Sequence, residues 1–333
     1  WDTPQAVAAF LDHFRPRAGV LMETEIWPNL VAACARRGLP LALANARLSE
    51  KSLRGAQRLS RLSRPAYGAL AAVWAQTEDD ARRLRAAGAK VDGVFGNLKF
   101  DAAPDAALLA RGRSWKDARP VLMLASSREG EEAMLLQALG AQPAQSGQSA
   151  QGAGVAPGFQ AVSGHPQPRL LIVPRHPQRF DEVVAMLQAA DLTVSRRSAW
   201  GDTGPDTQAR AADVWLGDSL GEMALYYGLA DAALLGGSFA PLGGQNLIEA
   251  CACGCPVLMG PHTFNFAEAA ELAEAAGAAM RLDGLPQALD AAAALLEQGA
   301  RRQAMADTGL RFAQAHRGAA RRTAEAISAL PAA

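Results

Sequence analysis

The chain has 333 residues, half of them hydrophobic, which is too much for one compact core: two domains of ordinary size are expected and whole-chain disorder is excluded. Thirty-three Lys+Arg balance 33 Asp+Glu, so the summed charge carries no nucleic-acid footprint and no nucleic acid is expected as a partner. Four Cys cannot build a disulfide framework and fit a reducing compartment, which makes cytoplasmic chemistry the default. The apolar stretch Ala69 to Ala75 falls well short of the ~18 residues a spanning helix needs. Residue 1 is Trp, and Trp1-Asp2-Thr3-Pro4 lacks the charged start and apolar core of a signal peptide, so the chain is expected to begin inside a longer protein.

In chain order, short runs rich in Val, Leu and Ile alternate with segments of helical period, the pattern of parallel sheets covered by helices. Strands are predicted at Gly19 to Met22, Leu41 to Ala44, Ala72 to Ala75, Val91 to Phe95, Val121 to Ala125, Leu170 to Val173, Val214 to Gly217, Ala232 to Leu235, Val257 to Met259 and Ala278 to Arg281. That many strands exceed one ordinary sheet. Helices include Pro28 to Arg37, which opens on Pro and stops at Gly38, and Glu78 to Ala87, capped by Thr77 and closed by Gly88. Gly96-Asn97-Leu98-Lys99-Phe100-Asp101 followed by Ala102-Ala103-Pro104 marks a domain boundary near Asp101 to Asp105. Residues 140–168, dominated by Gln, Ser, Gly, Pro and Ala, read as a flexible surface insertion within a domain, and Trp200 to Gln208 as another exposed loop.

Several strand ends carry polar motifs, and open α/β sheets place ligands at those ends. Glu23-Thr24-Glu25 follows the first strand; its paired carboxylates suit acid/base work or a cation, but equally an ordinary surface loop. Pro174-Arg175-His176-Pro177 follows another strand, where the planar fork of Arg175 suits a phosphate, the competing reading being an Arg paired with a neighbouring carboxylate. Gly217-Asp218-Ser219-Leu220-Gly221-Glu222 reads as a strand-to-helix turn with Ser219 as cap and Glu222 closing a capping box. Gly236-Gly237-Ser238-Phe239 and Gly243-Gly244-Gln245-Asn246 bracket a loop that opens a helix, an anion site in which glycines let backbone amides approach a phosphate. Glu249, three residues beyond Asn246, can accept both hydroxyls of a ribose; a capping Asn and a solvated Glu are the plainer alternative. The loop is not a Walker A, and no Gly-x-Gly-x-x-Gly follows a first strand. Cys251, Cys253 and Cys255 with His262 allow a zinc reading, but helical spacing turns Cys253 away from Cys251, so buried thiols are expected and no metal. His13, His165 and His316 read as surface residues.

Taken together, Met22-Glu23-Thr24-Glu25-Ile26-Trp27-Pro28-Asn29, Asn45-Ala46-Arg47-Leu48-Ser49, Gly96 to Asp101, Pro174 to Pro177 and Leu258-Met259-Gly260-Pro261-His262-Thr263-Phe264-Asn265-Phe266 resemble the 3-deoxy-D-manno-octulosonic acid (Kdo) transferases, in the family's order from Trp1 to about Arg317. The resemblance implies an α/β GT-B architecture of two Rossmann-like lobes, the first incomplete. It implies transfer of Kdo from CMP-Kdo to the lipid A precursor of lipopolysaccharide, with inversion and without cofactor or nucleotide-bound metal. Residues 1–103 would be a partial acceptor lobe, 104–304 the CMP-Kdo donor lobe, and 305–333 helices returning to the first lobe. Pro174 and Arg175 would meet the CMP phosphate, Leu220, Gly221 and Glu222 the nucleotide, and Asn246, Leu247, Ile248 and Glu249 the ribose and phosphate. Glu23 and Lys99 match positions that stabilise the transition state.

The resemblance also implies a preceding segment of roughly a hundred residues, about one small domain, carrying the general-base Glu and a membrane-proximal anchor. Loss of a general base commonly costs ~10²–10⁴ in rate, so this chain is expected to bind donor with impaired turnover. The expected location is the cytoplasmic face of the inner membrane, attached through that segment. Two other classes compete: a nucleotide-binding module without catalysis, which donor binding without transfer would support, and a GT-B relative acting on UDP-sugars, which a preference for uridine would support.

Overall fold

The computed structural model describes residues 2–101, 103–140 and 167–331; residues 141–166 of the expected insertion, and His165 with them, lie outside the described residues. The strands are β1 Gly19–Met22, β2 Leu41–Ala46, β3 Ala72–Ala75, β4 Gly93–Val94, β5 Val121–Ser127, β6 Arg169–Pro174, β7 Val194–Arg196, β8 Val214–Leu216, β9 Ala232–Leu235, β10 Val257–Met259 and β11 Ala279–Arg281. They form a four-stranded sheet ordered β1-β2-β3-β4 and a seven-stranded sheet ordered β11-β10-β9-β5-β6-β8-β7, with parallel pairing throughout. Parallel sheets are covered on both faces, which is why β2, β3, β6 and β9 are buried along their whole length and read as continuous apolar runs.

β7 was not visible in the sequence. Its Val-Ser-Arg is neither apolar nor alternating, because it is an edge strand bonded on one side only. Trp200 to Gln208 departs from the exposed loop expected there. Trp200 is buried, its ring 4.9 Å from Trp215 and 6.2 Å from Trp115, and Thr207–Ala211 is helical with Asp206 as its cap. The Gly/Pro composition forms the turn around one large aromatic anchor.

Local chemistry accounts for the helix ends. Thr77 Oγ1 accepts the Asp80 N–H at 3.0 Å to start Glu78–Ala87, and Gly88 at φ 109° ends it. Pro28–Arg36 has no cap of its own; the Asp2 carboxylate accepts the Asn29 and Leu30 N–H groups, each at 2.9 Å.

The chain divides into two compact units, residues 1–102 with 316–333, and residues 103–315. The return to the first unit therefore begins at His316 rather than 305. Helix Gly299–Ala315 stays with the second unit because Gly309 lets it lie against Cys251, where an added Cβ would stand 3.4 Å from the Cys251 Cα. In the first unit, helix Ala319–Ser328 lays Ala326 and Ile327 on Ala42, Ala44 and Trp74 of the sheet. Asp101 accepts the Gly318 and Ala320 N–H groups at 2.5 and 2.6 Å, and the Arg322 guanidinium donates to the Phe95 carbonyl at 2.6 Å. His316 is not a bare surface residue: its ring stacks on Phe100 at 4.8 Å. Among the described residues no helix is long and apolar enough to cross a membrane.

Candidate functional site

In the second unit β5 lies between β9 and β6, and the later strands depart to either side of it, so the sheet's topological switch point lies at the carboxyl end of β5. The loops after β10, β9, β5, β6 and β8 all emerge on that edge because every pair is parallel. This brings Arg175, the turn 217–222 and the glycine loop 236–246 to one side of the unit.

Arg175 follows β6 directly. Its N–H donates to the Ser127 carbonyl at 2.9 Å, which fixes the backbone, while its side chain is exposed with no hydrogen-bond or ion-pair partner among the described residues. The neighbouring Arg179 is the structural one. It is buried and donates to Glu132 at 2.9 and 3.1 Å and to Glu182 at 3.1 Å, and Ser127 Oγ donates to the same Glu132 at 2.6 Å. Those hydrogen bonds hold the Arg179 pKa above its ordinary value despite its burial. Sequence spacing alone did not separate the free arginine from the paired one.

The glycine loop departs from expectation in its first half. The fully buried Glu131 carboxylate occupies that half, accepting N–H groups from Gly237 at 2.6 Å, Phe239 at 3.3 Å, Ala240 at 3.4 Å and Arg128 at 3.0 Å. The amides of Gly237, Phe239 and Ala240 are thus satisfied within the fold. Gly236 is required for another reason: a Cβ there would stand 2.4 Å from the Ser126 carbonyl oxygen.

The second half is closed by other partners: Gly243 and Gly244 are buried against residues 262–265, and the Gly243 carbonyl accepts the Asn265 N–H at 2.9 Å. Gly243 and Gly244 take φ 91° and 75°, conformations that favour glycine, and the Gly244 N–H donates to the Gly237 carbonyl at 2.7 Å. Asn246 caps helix Leu247–Ala252, its Oδ1 accepting the Ile248 N–H at 3.1 Å, so the capping alternative holds for that residue. Leu247 and Ile248 are fully buried and anchor the helix rather than face outward. Glu249 is not the solvated Glu of that alternative. It is half-buried, its carboxylate has no hydrogen-bond or ion-pair partner among the described residues, and burial raises its pKa.

The turn after β8 is not a capping box. Helix Met223–Leu229 starts four residues after Ser219 because Gly221 at φ 78° reverses the chain first. Ser219 Oγ instead contacts Glu222 and the Tyr226 hydroxyl, the Glu222 carboxylate accepts from Arg197 at 2.9 Å, and Leu220 is left 75% exposed. Burial pushes the Tyr226 phenol up to about 12, partly offset by its hydrogen bonds with Ser219, so it stays protonated at neutral pH.

In the first unit the carboxyl ends of β1 and β2 turn through non-glycine residues with positive φ, Glu23 at 57° and Asn45 at 49°, a conformation that costs ~1–2 kcal/mol outside glycine. The Glu23 carboxylate pairs with Arg47 at 3.2 Å, and Glu25 accepts from the Trp27 indole at 2.7 Å, so the two carboxylates have separate partners. Buried Asn45 accepts the Leu98 N–H at 3.1 Å and, through its carbonyl, the Gln76 side chain at 2.9 Å; Asn97 donates to Gln76 at 3.1 Å. This amide network holds the 3-10 turn Leu98–Asp101, and Lys99 within it, beside the strand ends.

Cys251, Cys253 and Cys255 are free and buried, and burial pushes the thiols of Cys251 and Cys253 up to about 12. Among the described residues no three His, Cys, Asp or Glu side chains converge as a metal site requires.

Two parallel α/β units with motif loops on their carboxyl edges define a protein of the GT-B fold class. MurG from Acinetobacter baumannii shares that fold at 13% identity and TM-score 0.55, over 98% of this chain and 77% of its own. The family model described as 3-Deoxy-D-manno-octulosonic-acid transferase (kdotransferase) matches residues 1–102. The 3-deoxy-D-manno-octulosonic acid transferase of Bordetella pertussis is 50% identical over 330 residues, 98% of this chain and 72% of the relative. The chain belongs to the Kdo transferase family. The crystal structure of the C-terminal CMP-Kdo binding domain of WaaA from Acinetobacter baumannii is similar at 26% identity and TM-score 0.52, over 63% of this chain and all of that one.

Proposed function

We propose that this chain uses CMP-Kdo as donor and the lipid A precursor as acceptor, with inversion, in lipopolysaccharide synthesis at the cytoplasmic face of the inner membrane. The observation that carries the donor half is the pairing of an unpartnered, exposed Arg175 with an unpartnered, half-buried Glu249 on the edge that holds the sheet's switch point. A guanidinium fork free of carboxylates is what a nucleotide phosphate needs, and a carboxylate with vacant lone pairs suits the hydroxyls of a ribose. The turn Leu220-Gly221-Glu222 and the helix start at Asn246 frame that position in this reading, with Pro174, Leu247 and Ile248 as its buried supports. Glu23 and Lys99 would balance charge as CMP departs, a role confined to transfer and not to donor binding.

Calorimetric titration of the chain with CMP and UMP, repeated on Arg175→Ala and Glu249→Ala, tests the donor site. CMP is expected to bind more tightly than UMP and to weaken in both variants. A folded chain that ignores CMP, or prefers UMP as a UDP-sugar enzyme would, overturns the reading. Glu23→Ala is expected to leave CMP affinity unchanged; a loss would remove Glu23 from the transition-state role.

A further inference from the structure

The turn Asp218–Glu222 is short of packing. Leu220 is 75% exposed, and a side chain added at Gly221 would meet nothing within 4 Å. Besides the Tyr226 hydroxyl, which contacts Ser219, the 3-10 turn Arg197–Ala199 holds it. Arg197 Nη2 donates to Glu222 Oε1 at 2.9 Å, while the Ser198 N–H and hydroxyl donate to the two oxygens of Asp218 at 2.8 and 2.6 Å. Arg197 lies over the Trp115 ring at 5.2 Å and Trp200 at 6.0 Å, both within the second unit.

Two features separate this from an ordinary ion pair. The Arg197 Nε is buried with no hydrogen-bond partner among the described residues, a cost folds bear where geometry serves a site better than it serves the hydrogen-bond inventory. The 3-10 turn also borders an open pocket of about 650 Å³, lined by Arg196, Ala199, Trp200, Gly201 and Gly204 among others. With an open pocket on one side and an exposed turn on the other, polar contacts and the indoles of Trp115 and Trp200 fix the position of both segments. A largely buried ion pair adds little net stability but specifies a geometry well.

The geometry points to Arg197 as a positioning residue: it acts through Glu222, and with Ser198 it clamps the turn Asp218–Glu222 in the form that meets the nucleotide. The clamp is a property of the ligand-free chain; its effect on CMP rests on the donor reading above. Arg197→Met keeps an aliphatic stem over Trp115 and removes the charge, which guards against simple unfolding. In hydrogen exchange of the ligand-free chain, residues 217–226 are expected to lose protection in Arg197→Met while β5 and β9 keep theirs. In calorimetry, Arg197→Met and Glu222→Gln should each weaken CMP roughly tenfold, as one charge-assisted bond at the site would. The double variant should be no weaker than the weaker single, a coupling that general structural damage does not produce. Wild-type exchange over 217–226 in folded Arg197→Met, or additive losses of CMP affinity, overturns the clamp. Failure of the wild type to bind CMP overturns the donor reading instead, and the exchange measurement still decides the clamp.

Discussion

The two halves of the glycine loop in the second unit share a composition and differ in what fills them. Around Gly237 the backbone amides close on Glu131, a carboxylate that is fully buried and accepts backbone N–H groups from 128, 237, 239 and 240. Farther on, Glu249 is half-buried and its carboxylate accepts no hydrogen bond among the described residues. A carboxylate supplied with donors by its own fold is structural, whereas one desolvated without donors is poised for a ligand that brings them. The contrast sets the first turn of helix Leu247–Ala252, where Glu249 stands, apart from the filled glycine loop before it.

The largest effect that can break this contrast is Glu131→Gln. An amide cannot replace a carboxylate facing only donors, and buried donors left without an acceptor cost ~1–3 kcal/mol each, so urea unfolding should show a loss of roughly 3 kcal/mol or more. A midpoint within error of wild type would show that the first half of the loop does not depend on its anion. Arg175→Ala comes next. Loss of a charge-assisted phosphate contact corresponds to ~10–100-fold in CMP affinity, with thermal stability unchanged because the side chain is exposed and unpaired. A fall in melting temperature with intact CMP binding would make Arg175 structural after all.

Glu249→Gln gives the smallest and most discriminating shift. Because burial raises the Glu249 pKa, the fold prefers the neutral acid. The stability this contributes is fully present below the ordinary carboxylate value of ~4.3 and is lost as pH rises through the higher folded value. The variant should therefore melt above the wild type at pH 7.5, by about 1–3 °C for a partly screened group, and converge with it near pH 4. It should bind CMP several-fold more weakly over the same range. A variant destabilised at neutral pH would place Glu249 with Glu131 among the satisfied carboxylates.

Much of this edge was legible before any coordinates. The strands that lead into it are continuous apolar runs, and Arg175, Asn246 and Glu249 lie where periodicity places strand ends and a helix start. What could not be read is which polar groups satisfy one another. Glu131 reaches Gly237 across 106 residues of sequence, so the glycine loop looked vacant throughout. Ser219 and Glu222 have capping-box spacing, but Gly221 at φ 78° postpones the helix and frees both for tertiary partners. Asn45 stands in an apolar strand and Gln76 directly after one, as though misplaced, and only the fold shows that they carry the turn holding Lys99. Local rules describe elements well; long-range satisfaction of hydrogen bonds is a property of the assembled unit.

The helix Ala319–Ser328 has a consequence for how the molecule is made. It covers a face of the sheet formed by β2 and β3, with Trp74 and Ala44 beneath it, yet 217 residues separate Asp101 from its partner Gly318. On the ribosome the first unit is started first and finished last, waiting ~10–40 s at ordinary elongation rates while the second unit emerges. During that interval Ala42, Ala44 and the Trp74 indole lack the helix that covers them, a nascent apolar face exposed to other chains.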